Sequence, residues 1–277
     1  MQRRGKTSVE KSTVDLMDGR NIPKDLLCEA YIPKGKPVEL FVRFRKESWK
    51  EVAAIFEKKN IVELCSFQNL DPEKSEVSKG ILADISGSKE DLASIVKAIE
   101  GTEGVLEVRF SNSVLNGLII DELFFPLLVG GERSFTLRVD SFGAILKRLY
   151  EKFGTGAAII LYEMGLGMGE SKFKSTVSKY RVDKQTAVKI LLAERSAKGW
   201  CIARVGELNS KGAMVMVYDL FECMPFKNNQ EKPVSQLFRG YLTGIFQQLY
   251  GKNVTVTESE CIAKGDNACR FLIRVAE

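Results

Sequence analysis

Near the C-terminus, Glu258 and Cys261 precede a predicted tight turn at residues 264–266, and Cys269 follows it. Because the residues on either side of the turn alternate as strands, a hairpin would bring one carboxylate and two thiols together. These are zinc ligands, and a structural zinc site needs four of them. Our candidate for the fourth is Cys223, which ends another predicted strand.

The alternative interpretation is that Cys261 and Cys269 are ordinary core thiols. Free cysteine is among the most buried residue types in proteins. Spacing alone slightly favours this simpler interpretation, so the metal site needs support from other features of the chain.

Histidine is absent from the 277 residues. Its absence removes the commonest general base, the commonest metal ligand and every nucleophile paired with histidine. The glycines 165, 167 and 169 follow a G-x-G-x-G pattern that differs from the dinucleotide fingerprint, and we interpret them as a flexible turn. We therefore expect that the protein is not an enzyme.

Composition indicates the redox state of the cysteines and the cellular compartment of the protein. Six cysteines in a chain of this length are too few for a disulfide scaffold, which favours reduced thiols. We find neither a signal-like segment nor an apolar run of about 18 residues, so we expect a cytoplasmic protein that does not enter the membrane. The formal net charge of +5 is small and scattered, so any contact with nucleic acid is expected to be indirect.

The elements of the N-terminal part predict a small α+β domain. Residues 1–36 are polar and are predicted to form an N-terminal arm. Residues 37–112 predict the order βαββαβ, the ferredoxin-like arrangement in which two helices cover one face of an antiparallel sheet. By element order this segment resembles the ACT family of regulatory domains. Arg45-Lys46-Glu47-Ser48 stands where amino-acid-binding members usually have a glycine, so a dimerising module is the better interpretation.

The remaining elements must position the cysteines. Residues 113–130 are predicted to be a linker, and residues 131–277 a second domain of helices and antiparallel strands. The predicted helix at 235–250 is apolar nearly all round. On it, Gly240 and Gly244 lie four residues apart, a spacing that suits close packing against a neighbouring helix.

Three segments give the strongest resemblance to a known family, and they are 221–223, 233–246 and 258–271. They resemble the V4R (4-vinyl reductase) domain family. The resemblance implies a mixed α/β fold shared with the vesicle-tethering TRAPP subunits, and an enclosed pocket for a small molecule. In the phenol sensors of this family, zinc is held by a glutamate and two cysteines placed as Glu258, Cys261 and Cys269 are here. Their remaining cysteine falls where this chain has Ser235, unless Cys223 substitutes for it.

The two family resemblances together lead to three hypotheses about function. The first hypothesis is a regulatory protein that binds a small apolar or aromatic ligand beside a structural zinc ion and signals through the ACT-like domain as a homodimer. The alternatives are a non-catalytic TRAPP-like adaptor and an accessory protein in tetrapyrrole reduction. The aromatic and methionine residues that could line the pocket are Phe142, Tyr162, Trp200, Met214, Met216, Tyr218, Phe238, Tyr241 and Phe246.

Overall fold

The computed structural model describes residues 28–112, 114–115 and 117–276, and most of the predicted N-terminal arm lies outside them. The chain divides into two compact units between Phe135 and Thr136, and each is described by itself below. Both are mixed α/β units with antiparallel sheets, as predicted from the sequence. Of the helices in the described part of the chain, none is both long enough and apolar enough to cross a bilayer.

In the first unit, two helices pack on one face of a four-stranded antiparallel sheet. The elements are β1 (Glu29–Tyr31), β2 (Pro37–Arg45), α1 (Trp49–Lys58), β3 (Val62–Asp71), β4 (Glu76–Asp84), α2 (Leu92–Glu100), β5 (Val105–Ser111), β6 (Val114–Leu115), β7 (Leu118–Ile120), β8 (Leu128–Val129) and β9 (Glu132–Arg133). The main sheet has the order β3-β4-β2-β5, so each helix connects strands that are not neighbours. Alternate residues of β2 point into the core because side chains alternate along a strand.

The other face of this sheet is covered by the segment that follows β7. The ring of Phe124 packs edge-on against Phe67, with centroids 4.7 Å apart. Beneath this segment, the fully buried Glu39 carboxylate accepts hydrogen bonds from the backbone N–H of Glu122 and of Leu123, each at 3.2 Å. Burial, with a smaller contribution from Asp121, raises the pKa of Glu39 to about 7. Glu39 is thus a buried titratable group that ties this segment to the sheet.

The second unit contains α3 (Val139–Phe153), α4 (Thr155–Tyr180), α5 (Lys184–Ala197), β10 (Ile202–Asn209), β11 (Gly212–Tyr218), α6 (Gln236–Tyr250), β12 (Val254–Glu260) and β13 (Cys269–Val275). Its four-stranded antiparallel sheet has the order β10-β11-β13-β12. Helix α6 is the most deeply buried helix, because nearly every residue from Leu237 to Phe246 is shielded from solvent. It lies within the largest hydrophobic cluster of the unit.

The prediction of a flexible turn at Gly165, Gly167 and Gly169 is wrong. All three glycines lie inside α4, which continues for 26 residues. Glycine is an unfavourable helix residue, so the sequence pattern favoured a turn. Tertiary packing overrides that preference, since Gly165 and Gly169 face the backbone of α6 and a side chain would not fit there.

Helices α4 and α6 meet through glycines on both sides, which confirms the close packing predicted for Gly240 and Gly244. A Cβ atom built on Gly240 would lie 2.0 Å from the Tyr162 carbonyl oxygen, and one built on Gly244 would lie 2.4 Å from the Leu166 carbonyl oxygen. In the other direction, a Cβ on Gly165 would lie 1.9 Å from the Leu237 oxygen. The two backbones therefore approach more closely than any larger residue would allow.

Candidate metal centre

Three separate segments of the second unit deliver the four predicted ligands. Glu258 lies on β12, Cys261 follows that strand directly, and Cys269 begins β13. Cys223 comes from the connection between β11 and α6, in a turn where its N–H donates to the Leu220 carbonyl at 2.9 Å. The hairpin predicted from the sequence therefore brings its ligands together, and a fourth residue distant in sequence joins them.

A bulge and a tight turn allow Glu258 and Cys261 to face the same side. Inward positions on β12 alternate as far as Glu258, and the register then shifts before Glu260. The shift turns Cys261 inward, although it lies an odd number of residues from Glu258. The turn is fixed by the Asp266 carboxylate, which accepts the Cys261 N–H at 2.8 Å, and by Gly265, whose φ is +101°.

The four donor atoms form one compact cluster. One carboxylate oxygen of Glu258 and the sulfurs of the three cysteines all lie within 4.8 Å of one another. The Cys223 sulfur is 3.6 Å from that of Cys261 and 3.6 Å from that of Cys269. With zinc–sulfur bonds of about 2.3 Å, two sulfurs at the corners of a tetrahedron lie about 3.8 Å apart. The spacing observed here is thus close to that of a tetrahedral metal site.

The cluster is buried, which determines its electrostatics. All three cysteines are fully buried and Glu258 is 9% exposed. Burial, together with the neighbouring Cys261, raises the pKa of Glu258 to about 8. Hydrogen bonding to the other thiols raises the pKa of Cys223 and Cys269, and it lowers the pKa of Cys261, which receives their hydrogen bonds. A group of acids this concentrated either holds protons or holds a cation.

Ser235, where the V4R resemblance implies a cysteine, lies inside the same cluster. Its hydroxyl donates to a Glu258 carboxylate oxygen at 2.7 Å and is 2.9 Å from the Cys223 sulfur. It lies farther, at 4.0 Å, from the sulfurs of Cys261 and Cys269. The sequence position was therefore identified, and its side chain touches two of the four candidate ligands.

Glu222 is a buried acidic residue beside the cluster that the sequence analysis did not single out. It is fully buried beside Cys223, and its carboxylate accepts the N–H of Leu237 at 2.8 Å and of Phe238 at 2.9 Å. Burial raises its pKa to about 8. In the sequence, Glu222 could have been recognised as an acidic residue between Phe221 and Cys223 in an otherwise apolar stretch.

Three of the aromatic residues proposed for a ligand pocket, Trp200, Phe238 and Tyr241, pack in one aromatic cluster with Phe221. Trp200 lies 5.0 Å from Phe221 and 5.7 Å from Tyr241, measured between ring centroids, and Phe238 lies 5.9 Å from Tyr241. The guanidinium of Arg195, which is 2% exposed, stacks at 4.6 Å over Trp200 and at 4.9 Å over Tyr241. Among the described residues, the buried Tyr241 hydroxyl has no hydrogen-bond partner.

Comparison with known proteins agrees with the family resemblance in one region. Residues 215–275, which include all four candidate ligands, match the V4R domain family. A comparison with curated protein sequences gives no match.

Several solved structures are similar to about half of this chain. The phenol-responsive sensory domain of the transcription activator PoxR, solved with phenol, is 21% identical over 53% of this chain and 79% of its own, with a TM-score of 0.49. A vinyl-4-reductase family protein from Methanocaldococcus jannaschii is 17% identical over 52% and 85%, with a TM-score of 0.39. A trafficking protein particle complex subunit 3 from Naegleria fowleri, covalently bound to palmitic acid, is 15% identical over 50% and 93%, with a TM-score of 0.39.

Proposed function

We propose that this chain is a small-molecule-sensing regulatory protein whose V4R-like domain, residues 131–277, contains a structural zinc site formed by Cys223, Glu258, Cys261 and Cys269. The single observation that supports the proposal most strongly is the convergence of these four donor atoms within 4.8 Å in the region that matches the V4R family.

The donor set fits zinc better than other common cations. Three thiolates and one carboxylate are ligands for a borderline-soft ion, whereas magnesium and calcium take oxygen ligands. Four protein ligands leave no open coordination position, which is typical of a structural zinc rather than a catalytic one. Bound zinc would also compensate the negative charge that burial otherwise suppresses at Glu258 and the cysteines.

Helix α6 connects the proposed zinc site to a proposed ligand site. The helix begins next to the cluster at Ser235, and one turn later it presents Phe238 and Tyr241 to the aromatic core. A small aromatic molecule inserted beside Trp200 would stack on these rings, and a polar group on it would satisfy the Tyr241 hydroxyl. We therefore place the sensed ligand in this aromatic core, where it would displace side chains that now pack together.

The first unit is proposed as the output module. Its strand and helix order and its antiparallel sheet are compatible with an ACT-like domain over residues 37–112. We propose that it pairs with a second copy of the chain in the cytoplasm, and that any effect on nucleic acid is exerted through a partner.

The packed aromatic core supports a second candidate, a TRAPP-like adaptor that binds no exchangeable ligand. In that case the rings of Trp200, Phe221 and Tyr241 would form a permanent core. The same experiment distinguishes the two functions.

The test is native mass spectrometry with elemental analysis of the reduced, full-length protein as purified. We expect one zinc per chain in the wild type, loss of zinc in the Cys261→Ala, Cys269→Ala double variant, and full retention in Cys201→Ala. Cys201 is the matched control because it is a buried thiol of the same unit that is not part of the cluster.

An additional organic mass on the wild type would support the sensor over the adaptor. A protein without zinc, carrying no organic molecule, would contradict the metal centre and leave the three thiols as a hydrogen-bonded core cluster.

A further inference from the structure

Ser235 occupies the N-cap position of α6 but does not cap the helix. An N-cap serine normally accepts a hydrogen bond from the second or third N–H of its helix. Here the Ser235 side chain makes no such bond. Its fully buried hydroxyl points instead to the cluster, where it contacts Glu258 at 2.7 Å and Cys223 at 2.9 Å.

Glu222 supplies the missing cap. Its two carboxylate oxygens accept the N–H groups of Leu237 and Phe238, which are the second and third residues of α6. The helix start is therefore satisfied by Glu222, and the Ser235 hydroxyl is left for another role.

From this exchange of roles we infer that Ser235 is a positioning residue of the metal centre, which donates its hydroxyl hydrogen to the Glu258 carboxylate and so orients that ligand, while Glu222 has taken over the capping of α6. The inference rests on the proposed zinc site.

Ser235 is suited to orient ligands rather than to bind the metal. Thiolates and carboxylates are the zinc ligands of proteins, and four are already present in the cluster. A neutral hydroxyl that hydrogen-bonds to ligands is a typical outer partner, and removal of such a partner typically weakens metal affinity about 10–100-fold. Ser235 also lies in contact with Cys223 from the β11–α6 connection while it donates to Glu258 on β12.

The experiment measures cobalt binding, with cobalt as a spectroscopic substitute for zinc, by competition with a chelator in the full chain. Compared with the wild type, we expect Ser235→Ala to bind cobalt about 10–100-fold more weakly. The sulfur-to-cobalt charge-transfer absorption per bound ion should be unchanged, because all three thiolates remain. The matched control is Ser259→Ala, which removes an exposed hydroxyl next to Glu258 on the same strand and should leave affinity unchanged.

The outcomes separate the inference from the proposed function. If the wild type binds cobalt and Ser235→Ala binds it equally tightly, the positioning role is refuted and the metal centre stands. If the wild type binds no cobalt, the metal centre itself is refuted and the inference fails with it.

Ser235→Cys keeps the side-chain size and serves as a second variant if Ser235→Ala does not fold. The four ligands remain in this variant and fill the coordination positions, so the charge-transfer absorption should be unchanged. The affinity for cobalt should fall, because a thiol donates a weaker hydrogen bond to Glu258 than a hydroxyl does. An affinity equal to that of the wild type would overturn the inference, and so would the added absorption of a fourth thiolate, which would show that position 235 binds the metal directly.

Discussion

The close contact between α4 and α6 can be tested with two glycines of α4 that are two residues apart. Substitution by alanine should lower the free energy of unfolding at one of them and raise it at the other. Gly165 faces α6, and an added Cβ would lie 1.9 Å from the Leu237 oxygen and 2.8 Å from the Tyr241 nitrogen. Gly167 is exposed, and an added Cβ would have no neighbour within 4 Å.

The magnitudes follow from these distances. Ordinary contact begins at 3.4 Å, so Gly165→Ala forces the two backbones apart by more than about 1 Å. Overpacking of this kind costs about 1–3 kcal/mol or more, and the helix propensity gained by alanine offsets about 1 kcal/mol. Because the clashing atoms belong to the backbone and cannot rotate away, the cost lies at the upper end of this range, and we expect Gly165→Ala to lower the free energy of unfolding by about 2 kcal/mol. Gly167→Ala should raise it by up to about 1 kcal/mol, because only the propensity changes.

The assay is urea denaturation followed by tryptophan fluorescence. The chain has two tryptophans, Trp49 in the first unit and Trp200 in the second, so a Trp49→Phe background reports on the second unit alone. Gly240→Ala, on the facing helix, should behave like Gly165→Ala. If Gly165→Ala were as stable as the wild type, or if Gly167→Ala were equally destabilised, the close packing of these two helices would be refuted.

Three further predictions concern charge, protons and capping. Because the pKa of Glu39 is about 7 in the folded protein against an ordinary 4.5, the folded state binds this proton more tightly, and stability should fall by up to about 3 kcal/mol as pH rises from 4.5 to 7. Glu222 and Glu258 also have raised pKa values and contribute to this fall, so denaturation across this range should show a shallower slope in Glu39→Gln than in the wild type. Zinc added to metal-free protein in weak buffer at pH 7 should release about two to three protons per ion, since the pKa values of Cys223, Cys269 and Glu258 are raised, and a pH indicator measures this. Asp183 caps α5 by accepting the N–H of Gln185 and Thr186, so Asp183→Ala should lower the free energy of unfolding by about 1 kcal/mol in urea denaturation.

Much of the local structure was predictable because short-range patterns determine it. The alternation of Leu40, Val42 and Phe44 predicts a strand, and Lys264-Gly265-Asp266 predicts the turn that joins β12 to β13. The convergence of Glu258, Cys261 and Cys269 follows from that hairpin. These features depend on residues that are close together in the sequence, so the sequence alone identified them.

What could not be predicted depends on contacts between distant segments. The three glycines of α4 favour a turn by their intrinsic preference, and the reason why Gly165 and Gly169 stand in a helix is their contact with the backbone of α6, more than 70 residues away. Likewise, Ser235 has the side chain of a typical N-cap. Its hydroxyl is free to contact Glu258 only because Glu222 occupies the cap site, which no local pattern indicates.

Helix α6 is held at three places, and this gives a physical reason for the proposed zinc to be near the proposed ligand site. Its start is fixed by Glu222 and by the residues around Ser235, one side packs on α4 through Gly240 and Gly244, and Tyr241 belongs to the aromatic cluster. A ligand that displaced Tyr241 would have to move a helix that cannot shift at either of the other two contacts without cost. Binding energy would then be transmitted along α6 rather than absorbed by a local rearrangement, which is what coupling between two sites requires.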